Sequence, residues 1–420
     1  MLRRDKIWSI FFVGFLVAIF ITEGFGIPKG HLLASYLALL MPFSLLILDL
    51  ISGRQLRIPV ISTCLLLLYL IFVATSTLFG VSIENSFGTL LYVVALFLVF
   101  VSVFNHKDTE ELVVRTIIIL GLSFIAYSLL LLFSQTAFLV PENGYQFVYS
   151  KFGSHNHLGD FLVLALIAAI YKCIQRKSFI YLGLIAIFSI FLFTSFSRSA
   201  YLSFIIAGGV LVWSLLSQKE TKILSAPVVY LLSITMIASV LFFAVVTEAS
   251  SLPLLGGVNN FLEEKFDLKP KTFLSRREDF AGLALKSLQQ NPFTGVGVGN
   301  FVALSTPDAN APFKLRALSS HNIFLDILSE SGILALISFL MFLIFTLKDS
   351  LKKRGLLFFL VLGMLVNFQT DYTHTLISFY ALFFILLALN TREKTVDFSG
   401  LTAMLILVGG LAIGGALLLT

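Results

Sequence analysis

A few arginine and histidine side chains in this sequence have the chemistry to act on a phosphate-bearing substrate. Arg198 lies in the run Ser-Phe-Ser-Arg-Ser at 195–199, and Arg276 and Arg277 are adjacent. His321 follows a pair of serines. A guanidinium pairs with phosphate oxygens through two parallel hydrogen bonds, whereas an imidazole suits proton abstraction near neutral pH. Together these residues indicate an anion site with a general base beside it.

Each of these positions also has a simpler interpretation. Arg198 separates two apolar runs with almost no loop, so it is either an anchor for lipid headgroups or a clamp for a diphosphate. Arg276 and Arg277 are either solvated surface charges or, with the amides of a helix start, an anion site. His321 either begins a helix without a chemical role or acts as the general base.

A short amphipathic helix is predicted directly after the paired arginines. The pattern Ser275-x-x-Glu278 fits a capping box, which would start this helix at the arginines. One buried face is marked by residues at helical spacing, namely Phe280, Leu283, Ala284, Ser287 and Leu288. The glycine-alternating run 295–299 opens no strand–helix unit, so it predicts a tight backbone turn rather than a dinucleotide site.

Other polar side chains near these positions are candidate accessory residues. Ser197 precedes Arg198, and Asn322 follows His321. Glu330 lies in an apolar stretch, where a carboxylate is either functional or bonded structurally to a neighbouring helix.

Metal chemistry is not expected from the spacing of the potential ligands. Four polar residues head one apolar run: His155, Asn156, His157 and Asp160. Their spacing fits no zinc pattern. Two of them, His155 and Asn156, are kept as accessory candidates for the site. Cys64 and Cys173 have no CxxC partner, so neither a disulfide nor a cysteine metal site is predicted.

The elements that position these residues must be membrane helices. The 420 residues are 58% hydrophobic and 12% charged, whereas soluble domains carry about 25% charged residues. Each crossing needs about 20 apolar residues. We predict spans at 7–27, 31–50, 58–80, 86–105, 112–134, 158–174, 178–197, 199–217, 226–246, 321–347, 355–370, 375–390 and 400–419. This predicts an all-α, polytopic bundle of 12 or 13 helices in which 1–420 form one integral membrane domain.

The distribution of lysine and arginine predicts the orientation. With the N-terminus in the cytoplasm, most of these residues in short loops fall on the cytoplasmic side. The net charge of +6 is therefore read as topogenic rather than as a nucleic-acid site. Residues 247–320 then form a large periplasmic loop, and the apolar run 7–27 is an uncleaved first span.

The ordered set of motifs resembles a known family. The Ser-x-Ser-Arg-Ser run comes first, then the paired arginines with their helix, then Asn-Pro-Phe-Thr-Gly at 291–295 and Ser-His-Asn at 320–322. Ser-Glu-Ser-Gly at 329–332 closes the set. This order resembles the O-antigen ligase/polymerase superfamily of bacterial envelope glycan enzymes. The family often has tryptophan after the loop arginine, where this chain has Phe280 or Ala281; counting back from Pro292 favours Arg277 over Arg276.

The resemblance implies a type C glycosyltransferase-like enzyme in the bacterial inner membrane, with a periplasmic active site and no cofactor. Such an enzyme moves a glycan from undecaprenyl diphosphate with inversion and without metal. Arg198 and Arg277, or Arg276, would hold the diphosphate, and His321 would deprotonate the acceptor. The implied partners are the lipid-linked glycan, lipid A-core and membrane lipids, with no nucleic acid.

Two alternatives remain open at this point. A polymerase that extends a second lipid-linked glycan would use the same chemistry, so the motifs do not separate it from a ligase. A transporter or flippase would need charges near the bilayer midplane and repeat symmetry. No repeat is evident, and Arg115 and Glu330 are the main candidates for deep charges.

Overall fold

The computed structural model describes most of the chain. The described residues are 2–24, 30–53, 55–133, 155–176, 178–195, 197–217, 234–238, 270–305, 317–353 and 355–398. Most of the predicted large loop, all of 134–154, most of the predicted span 226–246 and the whole of 400–419 lie outside them.

The described chain is almost entirely helical. Its helices are α1 Leu2–Gly24, α2 Gly30–Ile51, α3 Val60–Phe79, α4 Ile83–Phe104, α5 Glu110–Phe133, α6 His155–Arg176, α7 Phe179–Thr194, α8 Arg198–Ser217, α9 Pro270–Gln290, α10 Phe301–Ser305, α11 Ile323–Lys353, α12 Leu356–Thr370 and α13 Ile377–Asn390. Two short 3-10 helices are Lys107–Thr109 and Tyr372–Thr375. Strands β1 Leu56–Pro59 and β2 Thr395–Phe398 pair antiparallel.

The predicted all-α, multi-pass membrane fold is confirmed. Within the described residues, 6 helices are long and apolar enough to cross a membrane, and shorter apolar helices accompany them. The shorter ones include α7, α8, α12 and α13. Among the residues that the structure describes, the one sheet is two-stranded, with Leu56 paired with Phe398 and Pro59 with Thr395.

Helices α6 and α13 form the centre of the bundle. Both are apolar on every face, which is the pattern of a helix surrounded by other helices rather than by lipid. Phenylalanine fills the spaces around them: the ring of Phe161 on α6 meets Phe20, Phe124 and Phe379 edge-on at centroid distances of 5.0, 5.1 and 6.0 Å. Among the described residues, phenylalanine thus serves packing between helices.

One end of the bundle gathers cations that the sequence assigns to the cytoplasm. Arg57 lies 3.8 Å from Asp397, and the ammonium group of Lys107 donates to the carbonyl of Thr391. Glu111 binds Lys172, Arg176 and Arg115. Arg115 therefore lies in an ion-pair cluster near the start of α5, and its interpretation as a deep membrane charge is wrong.

Helix α11 is broken at Gly332, where φ is 82° and ψ is 177°. The N–H of Ile333 leaves the helical ladder and donates to the carbonyl of Pro292 at 2.9 Å. A Cβ on Gly332 would lie 2.4 Å from the carbonyl group of Phe293. Only glycine allows both this backbone angle and this close approach of the loop.

The carbonyls freed by the break bind the glycine-alternating run 295–299. The carbonyl of Ser329 accepts from the N–H of Val296 at 3.0 Å and from the hydroxyl of Ser287 at 2.7 Å. The carbonyl of Glu330 accepts from the N–H of Gly297 at 2.9 Å. The predicted tight backbone turn is confirmed, and it docks the segment after α9 onto α11.

Gly332→Ala should destabilise the protein by roughly 2–5 kcal/mol, because it adds left-handed strain and a backbone clash. Thermal unfolding of the purified variant in detergent measures this loss. Gly14→Ala on α1 is the matched control, since a Cβ there meets nothing within 4 Å. The control should be neutral or more stable by up to about 1 kcal/mol, because alanine is the better helix former. Equal unfolding temperatures for both variants would contradict this account of the break.

Candidate active site

His321 lies in a short turn that leads into α11, formed by residues 319–322 and called here the histidine turn. Its backbone φ is 62°, a left-handed value that is uncommon for a residue with a Cβ. The N–H of His321 donates to the hydroxyl of Ser319 at 2.9 Å. Asn322 caps the helix, because its Oδ1 accepts from the N–H groups of Phe324 and Leu325 at 3.0 and 3.1 Å. The accessory candidate Asn322 therefore fixes the start of α11.

The imidazole of His321 lies between two aromatic rings and one carboxylate. Phe280 on α9 stacks on it, with centroids 5.8 Å apart and planes at 12°. Tyr372 meets it edge-on at 4.9 Å and 89°. Nδ1 lies 3.4 Å from Oδ1 of Asp371, while 27% of the side chain stays exposed. These contacts orient the ring and leave part of it open to a substrate.

Asp371 is the buried acid of this arrangement, with 1% of its surface exposed. Its Oδ1 accepts from the N–H of Tyr372 at 2.8 Å, which caps the 3-10 helix Tyr372–Thr375. Burial alone would raise the pKa of Asp371, but the contact with His321 and the electrostatic effect of His157 outweigh burial and lower that pKa below its ordinary value. Asp371 is therefore a carboxylate that faces the histidine.

Arg277, on α9, lies within electrostatic range of Asp371 and of a second acid, Asp160. Burial lowers the pKa of its guanidinium, and the negative charges of Asp371 and Asp160 act in the opposite direction. The structure thus brings Arg277 into the electrostatic range of the carboxylate that faces His321. For Arg276 the structure describes the backbone, and its side chain lies outside the description.

The predicted start of the arginine-bearing helix is wrong. Helix α9 begins at Pro270, so Arg276 and Arg277 lie more than one turn inside it and no helix-start amides surround them. Proline is favoured in the first helical turn because it has no N–H to leave unpaired, and it outweighed the capping-box pattern. The predicted face is confirmed, since Phe280, Ala284 and Ser287 are buried, and Leu283 and Leu288 are half-buried.

Arg198 is the first residue of α8, directly after the hairpin that the sequence predicts. Ser197 caps this helix, since its hydroxyl accepts from the N–H of Ala200 at 3.2 Å. The next serine, Ser199, donates to Oδ1 of Asp160 at 2.9 Å. The start of α8 is therefore bonded to one of the two acids that face Arg277.

Asp160 links three elements at this end of the bundle. It lies on α6, fully buried, and its second oxygen accepts a short hydrogen bond from the hydroxyl of Thr373. Thr373 belongs to the 3-10 helix that Asp371 caps. A continuous chain of contacts thus runs from the Arg198 helix start through Asp160 and Thr373 to the turn that faces His321.

The ligand atoms of His157, Asp160 and Asp371 lie within 4.8 Å of one another, so tertiary structure assembles a group that sequence spacing does not reveal. Both oxygens of Asp160 already accept hydrogen bonds, and Arg277 brings a positive charge to the same carboxylates. These contacts favour an acid cluster balanced by arginine. The accessory candidate Asn156 is half-buried at the start of α6, and the side chain of His155 lies outside the description.

Glu330 bonds to backbone rather than facing His321. Its Oε1 accepts from the N–H of Phe301 at 3.0 Å, at the start of α10. This contact supports the structural interpretation of Glu330, as a half-buried carboxylate that joins α11 to α10 beside the break at Gly332.

Sequence reasoning did not single out Asp371, Tyr372 or Phe280 as site residues. Asp371 was detectable as an acid at the junction of two predicted spans, where a charge needs a partner. Phe280 was placed correctly on the buried face of its helix, but its stacking on His321 depends on how α9 packs.

These features define a polytopic helical membrane protein with a partly buried cluster of histidine, carboxylate and arginine at one end. Residues 182–340 match the family model described as O-antigen ligase, which confirms the resemblance to the O-antigen ligase superfamily. A comparison with the curated proteins finds no match. The matched segment contains Arg198, Arg277 and His321, whereas Asp160 and Asp371 lie outside it. This match supports a glycosyltransferase-like membrane enzyme that acts on lipid-linked glycans.

Proposed function

We propose that this protein is an O-antigen ligase. It transfers a glycan from undecaprenyl diphosphate to lipid A-core at the periplasmic face of the bacterial inner membrane, with inversion and without metal. The observation that carries the proposal is the contact of Nδ1 of His321 with the buried Asp371, next to the two arginine-bearing helix segments.

His321 acts as the general base. Because its Nδ1 faces Asp371 at 3.4 Å, Nε2 is the nitrogen that takes the proton of the acceptor hydroxyl. Asp371 orients the ring and stabilises the imidazolium as it forms, as the acid does in other histidine–carboxylate pairs. The deprotonated oxygen attacks the anomeric carbon from the face opposite the phosphate.

Arg198 and Arg277 stabilise the leaving group. As the bond between the anomeric carbon and the phosphate oxygen breaks, undecaprenyl diphosphate gathers negative charge. Fixed guanidinium groups stabilise that charge strongly in a partly buried site. Arg277 lies within electrostatic range of the carboxylates of Asp160 and Asp371, so the diphosphate would share a cation that these acids already attract.

The two ends of the bundle support the proposed orientation. The cations around β1, β2 and the start of α5 cluster at the end away from His321. With that end in the cytoplasm, in accord with the positive-inside rule, the site faces the periplasm. A transporter is less well supported, because Arg115 and Glu330 both take part in local bonds near helix breaks or helix ends.

The test is purified full-length protein in lipid nanodiscs, supplied with a glycan on undecaprenyl diphosphate and excess chelator. Lipid A-core is offered in one arm and a second glycan-bearing carrier in another. We expect glycan on lipid A-core. A longer glycan on the carrier alone would make the protein a polymerase, and no transfer in either arm, with or without added divalent metal, would refute the proposed enzyme.

Arg198→Lys should lower kcat/KM for the lipid-linked donor about 10²-fold, because a point charge cannot replace a bidentate guanidinium in stabilising the leaving diphosphate. The measurement is initial rates over a range of donor concentrations. Lys172→Arg, at the opposite end of the bundle, is the reverse exchange and should leave the rate unchanged. Wild-type efficiency in Arg198→Lys would remove this residue from the clamp.

A further inference from the structure

A second pair of histidine and aspartate lies directly behind His321. Nε2 of His374 lies 2.7 Å from Oδ2 of Asp326, and both side chains are buried. The two residues are 48 positions apart in the chain. Neither belongs to the chemistry proposed above, since Asp326 contacts the histidine turn rather than the imidazole of His321.

Asp326 accepts two hydrogen bonds from the histidine turn. Its Oδ2 accepts from the hydroxyl of Ser319 at 2.6 Å, and its Oδ1 accepts from the N–H of Ser320 at 2.6 Å. Ser319 in turn accepts from the N–H of His321. Because His321 has a left-handed backbone, which is strained for a residue with a Cβ, this carboxylate helps to keep the turn in its observed shape.

His374 belongs to the segment that carries Asp371 and Tyr372. It lies in the 3-10 helix Tyr372–Thr375, which Asp371 caps and which also carries Tyr372. The bond between His374 and Asp326 therefore ties the segment that carries Asp371 and Tyr372 to the turn that carries His321.

We infer that Asp326 and His374 are positioning residues, which set the distance and angle of His321 to Asp371. The inference rests on the proposed function and extends it to residues that touch neither substrate nor base. A displacement of about 1 Å between catalytic groups can cost a hundredfold in rate, so a single buried bond at this point has a large effect on turnover.

The test compares three variants of His374 in the nanodisc assay. Glutamine places its amide nitrogen near the position of Nε2 and can still donate to Asp326, whereas asparagine is too short and alanine has no donor. We expect His374→Gln within about threefold of wild-type kcat, and His374→Asn and His374→Ala down about 10- to 100-fold, with KM for the donor nearly unchanged. Wild-type kcat in the asparagine and alanine variants would overturn the inference.

A control separates positioning from general stability. His106 binds both oxygens of Asp49, at 2.9 and 3.0 Å. This buried pair lies where α4 ends, at the end of the bundle away from His321. His106→Asn breaks an equivalent pair far from the site, so it should lower the unfolding temperature while the folded protein keeps wild-type kcat. An equal loss of kcat in His106→Asn and His374→Asn would mean that His374 serves stability alone.

A second readout does not depend on glycan transfer. The rate at which diethyl pyrocarbonate modifies His321, followed by mass spectrometry, reports how tightly the ring is held. We expect faster modification in His374→Ala than in wild type or His374→Gln. An unchanged rate would overturn the inference even if the wild-type protein proved inactive in the assay, whereas inactive wild type with faster modification in His374→Ala would refute only the proposed function.

Discussion

His321→Asn is expected to reduce kcat about 10²- to 10⁴-fold, because it removes the general base of the transfer. Asparagine is the sharper choice than alanine, since it tolerates the left-handed backbone of this position, where φ is 62°. Asn322, not His321, caps α11, so the start of the helix remains intact. The measurement is initial rates of glycan transfer with saturating donor.

Two controls belong to the His321 experiment. The variant should enter the membrane, elute as wild type from a sizing column and unfold at nearly the same temperature, since 27% of the side chain is exposed. His321→Gln should be equally inactive, because an amide accepts no proton at neutral pH. Near-wild-type turnover in either variant would remove His321 from the mechanism.

Arg277→Lys is expected to lower kcat/KM about 10²- to 10³-fold while the protein keeps most of its stability. Lysine retains the positive charge that Asp160 and Asp371 need, but it lacks the planar fork for a diphosphate. Arg277→Gln should lose activity and also unfold at a lower temperature, because two buried carboxylates then lose their cation. Rates and thermal unfolding of the two variants together separate substrate binding from charge balance.

Arg115→Gln is the matched control for Arg277. Arg115 is paired with Glu111 at 3.0 Å, and 58% of its side chain is exposed, so the pair is worth at most about 1 kcal/mol. Its loss should leave both activity and stability nearly unchanged. Full activity in Arg277→Lys and Arg277→Gln would show that the donor is held elsewhere.

Helix positions and faces were largely predictable, because they depend on local pattern. Apolar runs of sufficient length predicted the described spans, and the spacing of Phe280, Ala284 and Ser287 predicted the buried face of α9. The start of that helix was misplaced at the capping-box pattern, since Pro270 allows a longer helix. Arg115 was wrongly predicted to be a deep membrane charge. The sequence of an apolar run does not show how far a charged residue lies from the end of its helix.

The sequence by itself determined a multi-pass helical membrane protein with arginine and histidine at one end, because composition and periodicity act over neighbouring residues. Only the tertiary structure decided which acids meet them. Asp160 and Asp371 come from opposite sides of the matched segment and converge on Arg277 and His321 through the packing of α6 and α12. Such long-range pairings depend on how helices pack, and local sequence pattern carries no record of that arrangement.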